Sequence, residues 1–311
     1  MYGFTYVRQG WNDCGPANIT MALSHFGWRE TQEYAASILK PNTEDKNVSP
    51  SEMVSFVRQQ TQVSAITRMG GDIELVKDFI AANIPIIVET GYYLEGENWL
   101  GHYQTVVGYD DNQSVFYIYD SWLGIGTGDA GIAEHYSDFD ANWQYFNRAF
   151  IVIYEKDREN VVQQILGDRA DVTKADEHAL AVAQQEARAD RQNALAWFNL
   201  GTSYTRLGQY EQAATAYDQA RRLGTLPFRM LWYQFGPFEA YFETGRYDDV
   251  LALVNTNLRT AGNYVEETFY WQGKVLAAQG QRQDAAAAFQ RAIAQNPNYQ
   301  AARDALGTLN L

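Results

Sequence analysis

The 311-residue chain has one cysteine, Cys14, which excludes any intrachain disulfide and any zinc site built on several thiolates. A single thiol says little about compartment, because reduced and disulfide-free oxidising environments both accept it. Seven prolines and 24 glycines are too few for a disordered or fibrous chain. No apolar run reaches the roughly eighteen residues that a membrane-spanning helix needs. The opening MYGFTYVRQGW has neither a basic region nor an apolar core, so it is not a signal peptide. An export segment ahead of it would make the protein secreted or envelope-associated; without one it would be cytoplasmic. Basic residues are scarce too: 24 Lys and Arg stand against 38 Asp and Glu, a net charge of −14. That balance argues against nucleic-acid binding, which needs a basic face. The deficit is local. Residues 1–155 hold 8 basic and 20 acidic side chains, net −12, whereas 156–311 hold 16 and 18, net −2.

What is present divides into two halves with different periods. At roughly 100–200 residues per domain the length suits two domains, expected at 1–156 and 157–311. The second half reads as helix throughout and repeats internally. Trp197-x-x-Leu200-Gly201-x-x-Tyr204, then Gly208-x-Tyr210-x-x-Ala213, Tyr217 and Ala220, place small and large residues as in a tetratricopeptide repeat. Turn glycines recur at Gly208, Gly245 and Gly280, 37 and 35 residues apart. The copy through Gly273, Ala285, Phe289, Ala292 and Pro297 is a good one. The copy between is degenerate, with Pro237-Phe238 for its Leu-Gly pair and Val250 and Val254 at its packing positions. A capping helix is expected from Tyr299 to Leu309, and a helical pair near 160–190 as an imperfect leading repeat. Such arrays bury a continuous core and offer a concave surface to peptides or partner proteins.

The first half alternates. A strand is expected at Phe4–Arg8 and a helix at Gly15–Gly27 with Pro16 in its first turn. Further helices are expected at 30–39, 50–60 behind Ser49-Pro50-Ser51-Glu52, and 72–83. Ile84–Val88 reads as a buried strand, Tyr103–Gly108 and Ser114–Tyr119 as a hairpin about Asp110-Asp111-Asn112, and Ala149–Tyr154 as a closing strand. Helices first and an antiparallel sheet after is an α+β order.

Chemistry concentrates in Gln9-Gly-Trp-Asn-Asp-Cys14-Gly15-Pro16. Cys14 falls at a helix N-terminus, where the dipole and unpaired N–H groups favour a thiolate. Gln9 can present its side-chain amide beside the Cys14 backbone N–H, and two such donors make an oxyanion hole. His102 opens the first hairpin strand and Asp120 ends the return strand. A turn centred near 111–112 would set them almost opposite, so Asp120 could orient His102 as a base toward Cys14.

The order Gln…Cys-Gly-Pro…Gly-His-Tyr…Val-Val-Gly-Tyr-Asp-Asp…Tyr-Asp resembles the papain-like peptidases of the double-glycine leader type, which process bacteriocin precursors. The likeness covers about 1–155, including Phe139-Asp-x-x-Trp143. It implies an α+β papain-like fold with Gln9 as oxyanion donor, Cys14 as nucleophile, His102 as base and Asp120 as orienter. Those peptidases are usually fused to a transporter's membrane and ATP-binding regions; this chain carries helical repeats instead, so double-glycine specificity does not transfer. The expectation is a bacterial-type cysteine peptidase acting on a peptide or protein, with repeats for protein partners and no cofactor or metal. An acyltransferase using the same site, and an idle papain-like scaffold, are the alternatives. Gly126-x-Gly128-x-x-Gly131 lacks the helix a dinucleotide site needs and reads as a loop by the cleft. Asp138-x-Asp140-x-Asn142 opens like a calcium loop, but Trp143 replaces the required Gly and Ala149 the final Glu. His25, His135 and His178 have no partner pattern.

Overall fold

The computed structural model describes residues 1, 3–93 and 98–309. Cα packing divides the chain into two compact units, 1–39 with 48–191, and 40–47 with 192–311.

The first unit holds α1 (Cys14–Ser24), α2 (Gln32–Leu39), α3 (Pro50–Gln60), β1 (Ser64–Arg68), α4 (Ile73–Ala81), β2 (Ile86–Tyr93), β3 (Trp99–Asp110), β4 (Val115–Asp120), β5 (Ile132–His135), α5 (Tyr136–Trp143), β6 (Phe150–Tyr154), α6 (Glu159–Leu166) and α7 (Val172–Ala189). Its six-stranded sheet has the order β1-β6-β2-β3-β4-β5, and every pairing is antiparallel. Strands β2 and β6 sit inside the sheet with both faces covered, which is why residues 86–88 and all of β6 are unbroken apolar runs. Ile86, Val88, Val152 and Tyr154 pack with Leu75, Phe79, Phe139, Trp143, Val162 and Leu166. Ile87, Ile151 and Ile153 pack on the other side with Ile19, Leu23, Leu39, Met53 and Phe56. Helices α4, α5 and α6 thus cover one face, and α1, α2 and α3 the other.

The start of α3 shows how local sequence fixes an element. Ser49 accepts from the Glu52 N–H, the Glu52 carboxylate accepts from the Ser49 N–H, and Pro50 takes the first turn, a reciprocal cap that satisfies donors a helix start leaves unpaired. Four expectations need correction. Residues Phe4–Arg8 form no strand; the Thr5 N–H bonds the Ser24 hydroxyl instead of a ladder partner. Strands β1 and β5 were not foreseen, being short segments without clean alternation. The hairpin turns later than expected, with Asp110 opposite Val115, and a one-residue bulge between Val106 and Gly108 then sets Asp120 opposite Gln104 and not His102. Helices α6 and α7 do not begin the repeat array: Val162 and Leu166 fill the sheet core, and a Cβ on Gly70, whose φ is +70°, would lie 2.9 Å from Ala179.

The second unit holds α8 (Ala194–Arg206), α9 (Tyr210–Leu223), α10 (Gly236–Glu243), α11 (Tyr247–Leu258), α12 (Glu266–Ala278), α13 (Arg282–Gln295) and α14 (Gln300–Gly307). The pairs α8/α9, α10/α11 and α12/α13 are three helical hairpins, and α14 follows as the capping helix. Gly208, Gly245 and Gly280 turn each hairpin with φ of +69°, +72° and +77°, a region that glycine adopts without strain. Gly273 has a different task. A Cβ there would lie 2.6 Å from the Phe289 ring, and one on Gly201 2.7 Å from the Tyr217 ring. Each glycine admits the aromatic ring of its partner helix.

Candidate active site

Cys14 is the first residue of α1 and is half-buried. Gly15 lets the helix start against Val48, whose Cβ would be 3.2 Å from a side chain at that position. Pro16 needs no N–H in this first turn. As the first residue of the helix, Cys14 sits where the unpaired N–H groups and the dipole favour a thiolate.

His102 and Asp120 are brought together despite the shifted register, because residues two apart on a strand share a face. His102 Nε2 lies 3.0 Å from Asp120 Oδ1, with both side chains buried. That contact leaves Nδ1 for Cys14, to which His102 is hydrogen-bonded. Asp120 is held on all sides. Its Oδ1 accepts from the Trp122 and Leu123 N–H groups at 2.7 and 2.8 Å. Its Oδ2 accepts from Gln104 Nε2 at 3.0 Å and the Tyr92 hydroxyl at 3.3 Å.

These partners set the charges. Burial alone would push the Asp120 carboxyl up, but the His102 charge and these donors outweigh it and hold it well below the usual carboxylate range. Burial would likewise depress His102; Asp120 overrides it and raises the imidazole to about 10. For Cys14, burial raises the thiol, yet the hydrogen bond and charge of His102 bring it below its ordinary value. The three shifts together favour a thiolate–imidazolium pair.

Gln9 reaches the site from the irregular N-terminal segment. Its backbone N–H bonds the Ser121 carbonyl at 2.9 Å, and its Oε1 accepts from the Ser121 hydroxyl at 2.8 Å. All four expected residues therefore lie in one linked set: Gln9 joins Asp120 through Ser121, and His102 joins Asp120 to Cys14. Residues that the sequence reading did not single out complete it. Gln104 and Tyr92 brace Asp120, and Asn18 bonds the Cys14 carbonyl at 2.9 Å. Gln104, two residues after His102 and hence on its face, and Asn18, one helical turn after Cys14, both had a periodic signal. Glu89 had none. It is buried on β2 opposite Tyr103, and burial, with the neighbouring Cys14 charge, pushes its carboxyl well above the ordinary range.

The decoys fall elsewhere. Gly126, Gly128 and Gly131, all with positive φ, shape the turn before β5, and Asp138 to Asn142 are helical in α5, with Asp140 paired to Arg148 at 2.6 Å. Among the described residues no cluster of His, Cys, Asp and Glu could hold a metal ion, and no helix is long and apolar enough to cross a membrane.

Comparison with known proteins agrees with this layout. Residues 1–151 match the Peptidase_C39 like family. Over that stretch the chain is similar to this family, and its antiparallel sheet with covering helices is the C39-like fold. Residues 194–223 and 266–299 match tetratricopeptide repeats, the two copies that the sequence shows best. No curated protein matches the chain significantly. Among solved structures, the peptidase domain of Streptococcus ComA, a bi-functional ABC transporter involved in a quorum-sensing pathway, is 17% identical over 50% of this chain and 100% of its own, with a TM-score of 0.40. MamA from residue 41 to its end, from Desulfovibrio magneticus RS-1, is 21% identical over 50% of this chain and 82% of its own, with a TM-score of 0.39. YrrB, a tetratricopeptide protein with an unusual peptide-binding site, is 19% identical over 48% of this chain and 73% of its own, with a TM-score of 0.37.

Proposed function

We propose that the C39-like domain is a working thiol peptidase whose catalytic residues are Cys14, His102, Asp120 and Gln9. The observation that carries this reading is the unbroken chain Cys14–His102–Asp120, with an imidazole lifted to about 10 beside a thiol brought down. The Cys14 thiolate adds to a peptide carbonyl carbon, and the carbonyl oxygen takes the negative charge. Gln9 Nε2 and the Cys14 N–H donate to that oxyanion. Collapse breaks the C–N bond as His102 Nδ1 gives its proton to the leaving amine, leaving a thioester. His102 then takes a proton from water, hydroxide adds to the thioester, and the thiolate departs with the acid product. Asp120 keeps the imidazole in the required tautomer throughout. The substrate is a peptide or protein, and the acidic first half favours basic or neutral sequences near the cleft. The tetratricopeptide repeats supply a surface for a protein partner.

Profiling a peptide library with the wild type and Cys14→Ala in parallel tests this. Cleavage lost in Cys14→Ala supports the reading. A wild type that transfers acyl groups to amines without hydrolysis would make it a transferase. One that does neither would make the domain a scaffold.

A further inference from the structure

We infer that Asn18 and Ser121 are positioning residues that dictate which end of the Gln9 amide faces the reacting carbonyl. This rests on the thiol-peptidase reading above. The two ends of a glutamine amide are nearly equal in shape and opposite in function: the NH₂ stabilises an oxyanion and the oxygen repels it. Something must choose between them, and the buried hydrogen bonds around Gln9 make that choice.

Asn18 is fully buried. One end of its amide lies 2.9 Å from the Cys14 carbonyl oxygen and 2.7 Å from the Tyr103 carbonyl oxygen. Carbonyl oxygens only accept, so that end is the NH₂. The other end is the oxygen, which accepts from the Thr105 hydroxyl at 2.9 Å. The same Nδ2 lies 3.1 Å from the Ser121 hydroxyl. An amide nitrogen does not accept, so Ser121 cannot give its proton to Asn18. The proton goes to the other neighbour, Gln9, 2.8 Å away. A donated proton requires an acceptor, which fixes the near end of Gln9 as Oε1 and turns Nε2 outward.

Direction thus passes from two main-chain carbonyls through Asn18 and Ser121 to Gln9. Thr105, Asn18 and Ser121 are all removed from water, so no solvent molecule can substitute for a missing donor and reverse the order. Asn18 sits one helical turn after the nucleophile and Ser121 directly follows Asp120. The elements that carry nucleophile and orienter therefore also carry the parts that aim the oxyanion donor.

A double-mutant cycle on the full chain tests this, using Ser121→Ala, Gln9→Ala and the pair. Ser121→Ala is expected to lower kcat roughly tenfold with KM unchanged, less than the 10²–10³ for losing the donor outright. In the Gln9→Ala background it should cost nothing further, because Ser121 acts only through Gln9. The same fold-loss in both backgrounds, or a loss confined to KM, overturns the proposal. Asn18→Ala is the second variant and should show the same dependence on Gln9, melting curves separating lost orientation from lost fold. The apparent Cys14 thiol pKa, read from the pH dependence of iodoacetamide alkylation in the same proteins, needs no turnover. An amide turned to present Oε1 to the thiolate repels it, so the value should rise on Ser121→Ala only when Gln9 is present, and no rise in either background also overturns the relay. A wild type that alkylates but cleaves nothing sinks the peptidase reading while this cycle still decides the relay; equal rises in both backgrounds sink the relay alone.

Discussion

Both units bury polar side chains, Asn199, Asn257 and Glu266 among them in the repeat unit, but the two differ in what specifies their closest contacts. In the first unit the interior around α1, β3 and β4 contains Asn18, His102, Gln104, Thr105, Asp120 and Ser121, none more than 5% exposed. In the repeat unit two hairpins close by a glycine of one helix against a ring of the other, Gly201 against Tyr217 and Gly273 against Phe289, with Ala213, Ala220, Ala285 and Ala292 buried beside those rings. One interior is specified by direction, since every donor must meet an acceptor once water is excluded. The other is specified by shape, since a glycine and a ring must fit. The directed contacts matter for what they aim, whereas the glycine–ring contacts matter for how closely the helices stack. The two should therefore respond to substitution in different ways.

The largest effect is expected where direction is lost. His102→Ala removes the base and the thiolate's partner together, and kcat should fall by about 10⁴. Iodoacetamide alkylation of Cys14 at pH 6 should slow in the same variant, because the thiol loses the hydrogen bond and charge that lower its pKa. Equal alkylation rates in wild type and variant, both matching a free thiol, would remove the ion pair from the account. Melting behaviour should change much less than rate.

A smaller effect, and of the opposite character, is expected where shape is lost. Gly273→Ala puts a methyl 2.6 Å from the Phe289 ring, so ring or helix must shift. Overpacking of this kind costs about 1–3 kcal/mol. Thermal melts should show a destabilised repeat unit, while cleavage of short peptides and Cys14 alkylation stay as in the wild type. A loss of short-peptide cleavage equal to the loss of structure would break the distinction between the units.

The same contrast explains what the sequence disclosed. Shape leaves a period, and the repeat glycines at 208, 245 and 280 are legible as a period in the sequence alone. The residues proposed as catalytic are legible because each stands near an end of an element: Cys14 opening a helix, His102 near the start of a strand, Asp120 closing one. What stayed hidden has no local signature. The later turn, with Asp110 opposite Val115, and the one-residue bulge at Val106–Gly108 together set Asp120 opposite Gln104 and not His102, yet the pair survives, since a two-residue offset preserves the face. The strand expected at Phe4–Arg8 has the right residues but no free sheet edge is used by them; β1 and β5 take the edges. Helices α6 and α7 carry a helical period that cannot say whether their apolar face meets another helix or the sheet, and Val162 and Leu166 meet the sheet.

The smallest effect tests a buried polar group that aims at nothing catalytic. The Tyr103 hydroxyl donates its one proton to the Val48 carbonyl at 2.8 Å, so its hydrogen bond with Glu89 requires the proton to be on the carboxyl. Burial, with the Cys14 charge adding to it, raises the folded-state pKa of Glu89 well above 4.5. The unfolded chain releases that proton near its ordinary carboxylate value, about 4.3. Between the two values the unfolded state binds fewer protons, so stability falls as pH rises. Below the unfolded value both states are protonated and the contribution is intact. Glu89→Gln keeps a donor for Tyr103 and cannot ionise, so it should match the wild type near pH 4 and melt higher at pH 7, by about 2–4 °C for each kcal/mol recovered. Cys14, His102, Tyr103 and, beyond it, Glu52 are the other titrating groups facing this corner. None is altered by the substitution, so the difference between the two melting curves isolates Glu89. A variant equally shifted at both pH values would mean that Glu89 is ionised in the folded protein, and that Tyr103 gives its proton to the carboxylate and not to Val48.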